Sequence, residues 1–388
     1  STPGVCRTAN YIAAARAVET EREGAIINDP WARQFATEAG FDMLEHFSKY
    51  RISTSFSPSH PKEDMAVMIC AIRTKFFDTH LLETLQNDRE IQQVVILGCG
   101  FDTRSCRLPF PDPKATKVFE VDLTDVINIR NDVLGSHFAP KNDVDGMPDR
   151  AVRISVPVDV SDTEALREGL EEATFDPSKK SVWILEGLLV YLTEDKVQQL
   201  LNFISSVTPA NSVIMADIHN VATLQSPFNK NYNEDWSNRG APLIWATDFP
   251  EDLLRWHGFS TEICARYGDK QADFGRFLPF LDWLLDSFPR ENRNVPNTFV
   301  VVGTRDGRKT EELFEWEDFL MLSDARKEIH ELKGWVLPAR MKSVESAIEH
   351  FYGKLFTHSN ETQKSQNSSA HSPDNDDNVV SIVPEDLD

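Results

Sequence analysis

The feature that most constrains this 388-residue chain is a short apolar run that leads directly into a glycine-rich turn. Residues 94–97 are Val-Val-Ile-Leu, which is typical of a buried parallel strand, and Gly98 and Gly100 follow at once. In open α/β sheets, nucleotide-like ligands bind beyond the carboxyl end of such a strand, where glycines let the backbone approach them closely. Thr103 stands where the dinucleotide fingerprint has its third glycine, so the turn favours a nucleoside-type ligand without a pyrophosphate. A tight turn without any ligand is the alternative at this point.

Strand and helix signals alternate along the chain after this turn, which predicts an α/β fold with a doubly wound, mostly parallel sheet. Apolar runs typical of strands lie at 117–122, 151–159, 181–187 and 212–218, with helical patterns between them. Two later strands, at 259–267 and 298–303, lack a regular crossover helix between them. We expect these two strands to form an antiparallel edge pair that completes a sheet of seven strands.

Composition along the chain predicts four parts. A helical lid at 1–90 precedes a core at 91–305, and an insertion at about 219–258 forms a cap on that core. A helical extension follows at 306–356. The tail at 357–388 is predicted to be disordered, because it is rich in Ser, Asn, Asp and Gln and shows no hydrophobic periodicity.

Charge and cysteine content limit the partners and the compartment. The chain has 40 basic and 62 acidic residues and a formal net charge of −22, which disfavours nucleic acids and anionic membranes as partners. Its five cysteines form no C-x-x-C pair and are expected to be reduced thiols. No signal peptide or membrane-spanning run is recognised, and no metal site is predicted. We therefore expect a soluble, cytoplasmic protein.

Three successive predicted strands end in a carboxylate, at Asp122, Asp159 and Glu186. In a doubly wound sheet, these strand ends lie side by side along the edge that also carries the glycine turn. Asp122 follows Gly100 by 22 residues, an interval typical of an acid that accepts both hydroxyls of a ribose. One such acid would ordinarily be a solvated strand-end residue, but three in succession indicate a ligand site.

Ordered motifs strengthen this interpretation. They are Ile-Arg-Thr-Lys-Phe-Phe-Asp at 72–78, Gly-Cys-Gly-Phe-Asp-Thr-Arg at 98–104, Arg-Leu-Pro at 107–109, Phe-Glu-Val-Asp at 119–122, Val-Asp-Val at 158–160 and Leu-Glu-Gly-Leu-Leu-Val-Tyr-Leu at 185–192. Over about residues 7–305 the chain resembles the leucine carboxyl methyltransferase family, and most closely its branch of microbial secondary-metabolite methyltransferases. Residues 14–22 and 28–30 also resemble that branch. The resemblance implies a Rossmann-like class I methyltransferase fold with S-adenosylmethionine (SAM) as cofactor.

Family positions imply a role for each motif residue. Arg73 would pair with the SAM carboxylate, as a planar guanidinium can, and Asp122 would accept the ribose diol. Asp159 would accept from the adenine amino group, while the Val160 amide would donate to the ring. Glu186 would lie near the ammonium end and the acceptor pocket.

The remaining implied residues are less directly assigned. Gly98 would bring backbone against the methionine part of SAM, and Arg16 lies near a basic position of the family. The acceptor is expected to be a small molecule. A carboxylate acceptor is ionised at pH 7 and requires no base, whereas a phenol does. Tyr191 and His219 are the candidates for orienting or deprotonating such an acceptor, and neither is assigned as catalytic.

Three functions remain open at this stage. The first is an O-methyltransferase that acts on a small-molecule carboxylate or hydroxyl in secondary metabolism. The second is methylation of a protein C-terminal leucine carboxylate, although residues 98–101 and the N-terminal entry depart from that branch. The third is a SAM-binding relative that catalyses a cyclisation or rearrangement without methyl transfer, because fold alone does not decide chemistry. The acceptor and the oligomeric state are not predicted.

Overall fold

The computed structural model describes residues 4–47, 65–135, 148–226, 229–277 and 296–308. The division into four parts stays a prediction. Nearly all of the expected extension at 306–356 and the whole of the expected tail at 357–388 lie outside the described residues.

A seven-stranded sheet forms the centre of the described fold. The strands are β1 (Gln93–Leu97), β2 (Lys117–Asp122), β3 (Val152–Pro157), β4 (Ser181–Leu185), β5 (Val213–His219), β6 (Phe259–Arg266) and β7 (Thr298–Arg305). Their order is β3-β2-β1-β4-β5-β7-β6, with the first five strands mutually parallel and β7 antiparallel to both its neighbours. The predicted doubly wound, mostly parallel sheet with an antiparallel pair is therefore confirmed.

Helices cover the sheet and connect its strands. They are α1 (Gly4–Thr20), α2 (Ala32–Phe47), α3 (Met65–Asn87), α4 (Arg104–Arg107), α5 (Thr124–Leu134), α6 (Thr163–Glu172), α7 (Glu194–Ser206), α8 (Val221–Gln225), α9 (Lys230–Asn238) and α10 (Pro250–Trp256), with a 3₁₀ turn at Leu189–Tyr191. Every residue of β1 and β4 is buried, as expected for strands covered on both faces. None of the described helices is long and apolar enough to cross a membrane.

The first two helices pack at very close range. Asn10 of α1 donates from its side-chain amide to the Phe35 carbonyl of α2 at 2.7 Å. A Cβ at Gly40 would stand 2.4 Å from the Asn10 carbonyl oxygen, so only glycine permits this approach. The α1–α2 pair is thereby held as one layer.

The insertion between β5 and β6 packs on this layer through aromatic rings. Trp236 of α9 stacks on Phe47 of α2 with centroids 4.6 Å apart, and Tyr11 of α1 meets the Trp236 ring edge-on at 5.3 Å. Trp236 is 4 % exposed and belongs to one hydrophobic cluster with residues of α1, α2 and α3. The tryptophan is thus a core residue that ties the insertion to the N-terminal helices.

Candidate functional site

Strand register places the predicted residues in one row at the carboxyl edge of the sheet. Leu97 pairs with Val121, and Asp122 is the last residue of β2, so Gly98 and Asp122 lie at the same level. Leu185 pairs with Ala216, which brings Glu186 level with Asp217 of β5. This edge is where open parallel sheets bind their ligands.

The glycine turn is held by the carboxylate of Asp122. Gly98 and Gly100 both have positive φ angles, of 62° and 46°, which L side chains rarely adopt. The Gly100 amide donates to Asp122 Oδ2 at 2.7 Å, and the Leu123 amide donates to Oδ1 at 2.7 Å. Burial raises the pKa of Asp122, and the two amides oppose that rise. Each oxygen keeps a further acceptor site for a ligand hydroxyl.

Arg73, Glu186 and Asp217 meet in a partly open cluster. Arg73 of α3 donates from Nε to Glu186 Oε1 at 2.8 Å and from Nη1 to Asp217 Oδ2 at 3.2 Å. The Gly187 amide donates to the other oxygen of Asp217 at 2.5 Å. A Cβ at Gly187 would stand 3.3 Å from Arg73 Nη1, so this residue also shapes the space around the guanidinium.

Further charged side chains contact this cluster. Arg104 lies 2.6 Å from Glu186 Oε2 through Nη2 and donates to Asp78 at 2.8 Å through Nε. Arg104 also pairs with Asp102, and Arg107 pairs with Asp78. Burial would raise the pKa of Glu186, but the guanidinium groups of Arg104 and Arg73 outweigh it and hold the pKa below its ordinary value. Glu186 is therefore ionised at neutral pH.

Asp159 and Val160, the residues predicted to contact the adenine, and Arg16 lie outside the Arg73 cluster. Asp159 is exposed beyond the end of β3, where its Oδ1 accepts from the Ser161 amide at 2.8 Å, and Val160 is buried. Arg16 donates from Nε to Asp29 Oδ2 at 2.8 Å and from Nη2 to the Phe101 carbonyl at 2.5 Å. Arg16 thus ties α1 to the glycine turn, and a direct contact with a cofactor stays a prediction.

The candidate acceptor-side residues differ in what they offer. His219 ends β5, and its Nδ1 lies 2.6 Å from the Thr298 hydroxyl. Burial lowers the pKa of His219, so the ring is neutral at pH 7. Burial raises the pKa of Tyr191, so its phenol is protonated. At neutral pH, Tyr191 can donate or orient but cannot serve as a ready base.

Sequence reasoning missed Asp217 and Tyr267. Asp217 lies inside the predicted strand rather than at its end, so the search for terminal acids passed over it; the Ala-Asp-Ile sequence at 216–218 was the available signal. Tyr267 directly follows β6, is 7 % exposed, and interacts electrostatically with Asp217 and Arg73. Burial raises its pKa well above the ordinary value, so this phenol also remains protonated.

Comparisons with known proteins identify the family of this chain. The leucine carboxyl methyltransferase family profile matches residues 9–205. A Streptomyces avermitilis protein is 32 % identical over 283 residues, covering 70 % of this chain and 89 % of the relative. A Mycolicibacterium paratuberculosis protein is 34 % identical over 298 residues, covering 72 % and 90 %. Both carry the name "putative S-adenosyl-L-methionine-dependent methyltransferase".

Solved structures give more distant likenesses. A crystal structure of a DUF574 family protein from Streptomyces avermitilis has a TM-score of 0.48 at 12 % identity and covers 76 % of this chain and 96 % of that one. A Thermobifida fusca crystal structure that carries the name "putative methyltransferase" has the same TM-score at 14 % identity and covers 76 % and 94 %. The fold itself is established by the strand order above. On the family match and the two sequence relatives, the chain belongs to the leucine carboxyl methyltransferase family.

Proposed function

We propose that this chain transfers a methyl group from SAM to a carboxylate or hydroxyl oxygen of a small molecule in secondary metabolism. The methyltransferase class and the cofactor SAM, both predicted from the sequence, are confirmed by the family match and by the relatives. The observation that carries the proposal is the row of Gly98, Asp122, Glu186 and Asp217 with Arg73 beside it.

The amino-acid end of SAM fits the Arg73 cluster. The contacts of Arg73 with Glu186 and Asp217 use Nε and Nη1, which leaves Nη2 uncommitted among the described residues. That nitrogen is suited to a ligand carboxylate. The Glu186 and Asp217 carboxylates are suited to an ammonium group.

Formal charge supports the same assignment. The connected network holds three arginines and four carboxylates, which leaves one excess negative charge: Arg73, Arg104, Arg107, Asp78, Asp102, Glu186 and Asp217. SAM carries a carboxylate, an ammonium and a sulfonium, so its net charge is complementary. A cationic ligand therefore compensates the excess carboxylate of this network.

The nucleoside end fits the neighbouring strand ends. Asp122 already orders the turn through both oxygens and retains acceptor capacity for a ribose diol. A Cβ at Gly98 would stand 2.9 Å from Leu188 Cδ1, so glycine at this position lets Leu188 pack closely against the turn. We assign Asp159 and the Val160 amide to the adenine because they follow the next strand along the edge.

When bound, SAM supplies an electrophilic methyl group on a sulfonium that departs as a neutral thioether. The protein's contribution is to hold and orient its reactants. Arg73 and Asp122 lie on different elements, α3 and β2, so two separated anchors align a ligand between them. Such alignment supplies up to about 7–11 kcal/mol in favourable cases. Exclusion of water favours a reaction in which a cation and an anion lose charge together.

The acceptor determines whether a base takes part. A carboxylate acceptor is ionised at neutral pH, and for it the protonated phenols of Tyr191 and Tyr267 can only donate hydrogen bonds. For a hydroxyl acceptor, neutral His219 is the better candidate of the two side chains predicted from the sequence. Burial that lowers its pKa also weakens it as a base, which favours acceptors that are already ionised.

The test begins with calorimetric titration of the full chain with SAM and with S-adenosylhomocysteine. A methyl-transfer screen follows over aromatic acids, polyketides and peptides with a C-terminal leucine. We expect binding of both ligands and a product heavier by one methyl group from a small-molecule acceptor. Methylation of only the peptides would replace the proposal with the protein-methylating alternative. A converted substrate of unchanged mass would replace it with a cyclisation or rearrangement.

Partners and location form part of the same proposal. The net charge of −22 disfavours nucleic acids and anionic membranes, and no disulfide joins the four buried cysteines whose side chains the structure describes. These observations support action on a small molecule in the cytoplasm. Fractionation of the producing cells with an antibody against the chain tests the location, and recovery in a secreted or membrane fraction would contradict it.

A further inference from the structure

A group of buried charged side chains contacts the backbone of the glycine turn. Glu120 of β2 is fully buried and contacts two arginines, Arg130 of α5 at 2.7 Å and Arg153 of β3 at 2.8 Å. The Ser105 hydroxyl donates to the same carboxylate at 2.6 Å. We call Glu120, Arg130 and Arg153 the closed triad. None of its members belongs to the row of predicted ligand residues.

Arg130 reaches from this triad to the backbone of the turn. Its Nη1 donates to the Gly100 carbonyl at 2.9 Å and to the Asp102 carbonyl at 2.5 Å, while its Nη2 pairs with Glu120. Gly100 is thereby held from both sides, because its amide donates to Asp122 and its carbonyl accepts from Arg130. A glycine at φ 46° has no side chain to restrict it, so these two contacts fix its orientation.

We propose that Arg130 is a positioning residue that locks the glycine turn in the form that presents Asp122 to the cofactor. The inference rests on the proposed function, because it concerns how SAM is held. Without Arg130, the Gly100 and Asp102 carbonyls lose their shared donor, and the 98–102 backbone gains alternatives in which the Gly100 amide leaves Asp122.

Arg153 provides the matched comparison. It pairs with the same Glu120 and is nearly as buried, but its Nη1 donates to the Gly135 carbonyl at 3.2 Å rather than to the turn. Loss of either arginine therefore deprives Glu120 of one partner, whereas only loss of Arg130 frees the turn. Comparing variants of the two arginines therefore separates a general loss of stability from a specific effect on the cofactor site.

The ionisation of Asp122 supplies a second signature. Burial raises its pKa, while the Gly100 amide, the Leu123 amide and the charge of Arg130 lower it, and Asp159 raises it. Removing Arg130 takes away both its charge and the alignment of the Gly100 amide, so the pKa of Asp122 rises further. Arg153 is not among the groups with the largest effect on the pKa of Asp122.

The experiment measures the dissociation constant of S-adenosylhomocysteine for the full chain by calorimetry, well below each variant's unfolding temperature. We expect Arg130→Met to weaken binding by on the order of tenfold or more. Arg153→Met should bind like the parent even though it also unfolds at a lower temperature. Arg130→Lys, which keeps the cation but offers a point charge for two carbonyls, should lie between them and serves if the Met variant does not fold.

Repeating the titration over a range of pH separates the outcomes. In Arg130→Met, affinity should be lost at a higher pH as the solution is acidified than in the parent or in Arg153→Met. Equal affinities and equal pH profiles for the folded Arg130 and Arg153 variants would overturn the inference. A parent chain that binds neither SAM nor S-adenosylhomocysteine would instead refute the assignment of the cofactor site.

Discussion

Two charged clusters flank the glycine turn and differ in how they use their charges. The open cluster consists of Arg73, Glu186 and Asp217, and the Arg73 and Glu186 side chains are 14 % and 12 % exposed. In the closed triad, Glu120 and Arg130 have no exposed side-chain surface. Both clusters contain arginine–carboxylate pairs at hydrogen-bond distance.

The difference lies in the atoms left over after the ion pairs form. In the closed triad, Arg130 and Arg153 direct further donors to main-chain carbonyls of Gly100, Asp102 and Gly135, so their function is to hold the backbone. In the open cluster, Arg73 keeps Nη2 uncommitted among the described residues. Residue type alone does not separate a ligand site from a structural site, whereas exposure and remaining hydrogen-bonding capacity do.

The largest expected effect comes from breaking the closed triad. Glu120→Gln leaves two buried guanidinium groups without a carboxylate, and loss of one partner from a buried ion pair costs about 3–5 kcal/mol of unfolding free energy. Urea denaturation of the variant and the parent measures this change. A loss below about 1 kcal/mol, as for an exposed pair, would remove the distinction between the clusters.

Acid titration sharpens the same comparison. Burial would raise the pKa of Glu120, but the charges of Arg130 and Arg153 dominate and lower it from 4.5 to about 2. Because the folded pKa lies below the unfolded one, the carboxylate stabilises the fold above pH 4.5 and this contribution is lost as the pH falls toward 2. The free energy of unfolding should therefore fall less steeply with decreasing pH below 4.5 in Glu120→Gln than in the parent.

The open cluster should respond in binding more than in folding. Arg73→Met removes the proposed carboxylate anchor, and loss of a partner from a hydrogen-bonded charge pair costs about 2–5 kcal/mol, or roughly 30-fold or more in affinity. Calorimetry with SAM measures the loss. Unchanged affinity in the folded variant would exclude Arg73 from the cofactor site.

His257 tests whether burial of a titratable group, without an ion pair, is enough to make the free energy of unfolding depend on pH. It is 1 % exposed, with Nδ1 3.0 Å from Asn202 Oδ1 and Nε2 2.7 Å from Gln198 Oε1. Burial lowers the pKa of His257 from 6.5 to about 3. The unfolded chain takes up this proton first, so stability falls below pH 6.5 by up to about 1.4 kcal/mol per pH unit. His257→Gln should flatten the pH dependence of chemical unfolding between pH 6.5 and 5, and an unchanged slope would contradict this assignment.

The smallest effect is expected from an exposed pair. Arg33 contacts Glu21 through two hydrogen bonds of 2.5 and 2.6 Å, and both side chains are largely exposed. Solvent screening leaves such pairs with little effect on stability. Arg33→Met should match the parent in unfolding temperature and in SAM affinity, which makes it the control for Arg73→Met. A marked loss of affinity would show that charge removal at a distance acts on the site.

Most of the fold was predictable because apolar runs in buried strands are continuous and helices alternate with them. The strand at 117–122 has the predicted bounds. The strand predicted at 151–159 is shorter, Val152–Pro157, and Asp159 lies beyond it. Strand ends are less predictable because they depend on where pairing with a neighbour stops, as for β3 beside β2.

The site was predictable only in part. Asp122 and Glu186 follow apolar runs, so the sequence predicts them as acids at strand ends. Asp217 did not, because it lies within β5 and joins the row only through the register of β5 with β4. Trp236 of the insertion packs against Phe47 and Tyr11, and only the tertiary structure shows this contact.

The sequence by itself determined the alternation of strands and helices, the glycine turn and the family motifs, because these depend on local periodicity and on residue types at short spacing. Tertiary structure alone decided which charges meet. Arg73 and Asp217 are 144 residues apart, and Arg130 and Gly100 are 30 apart. Burial and strand register decide whether an arginine faces a ligand or the main chain. Neither can be predicted from the residues adjacent to that arginine in the sequence.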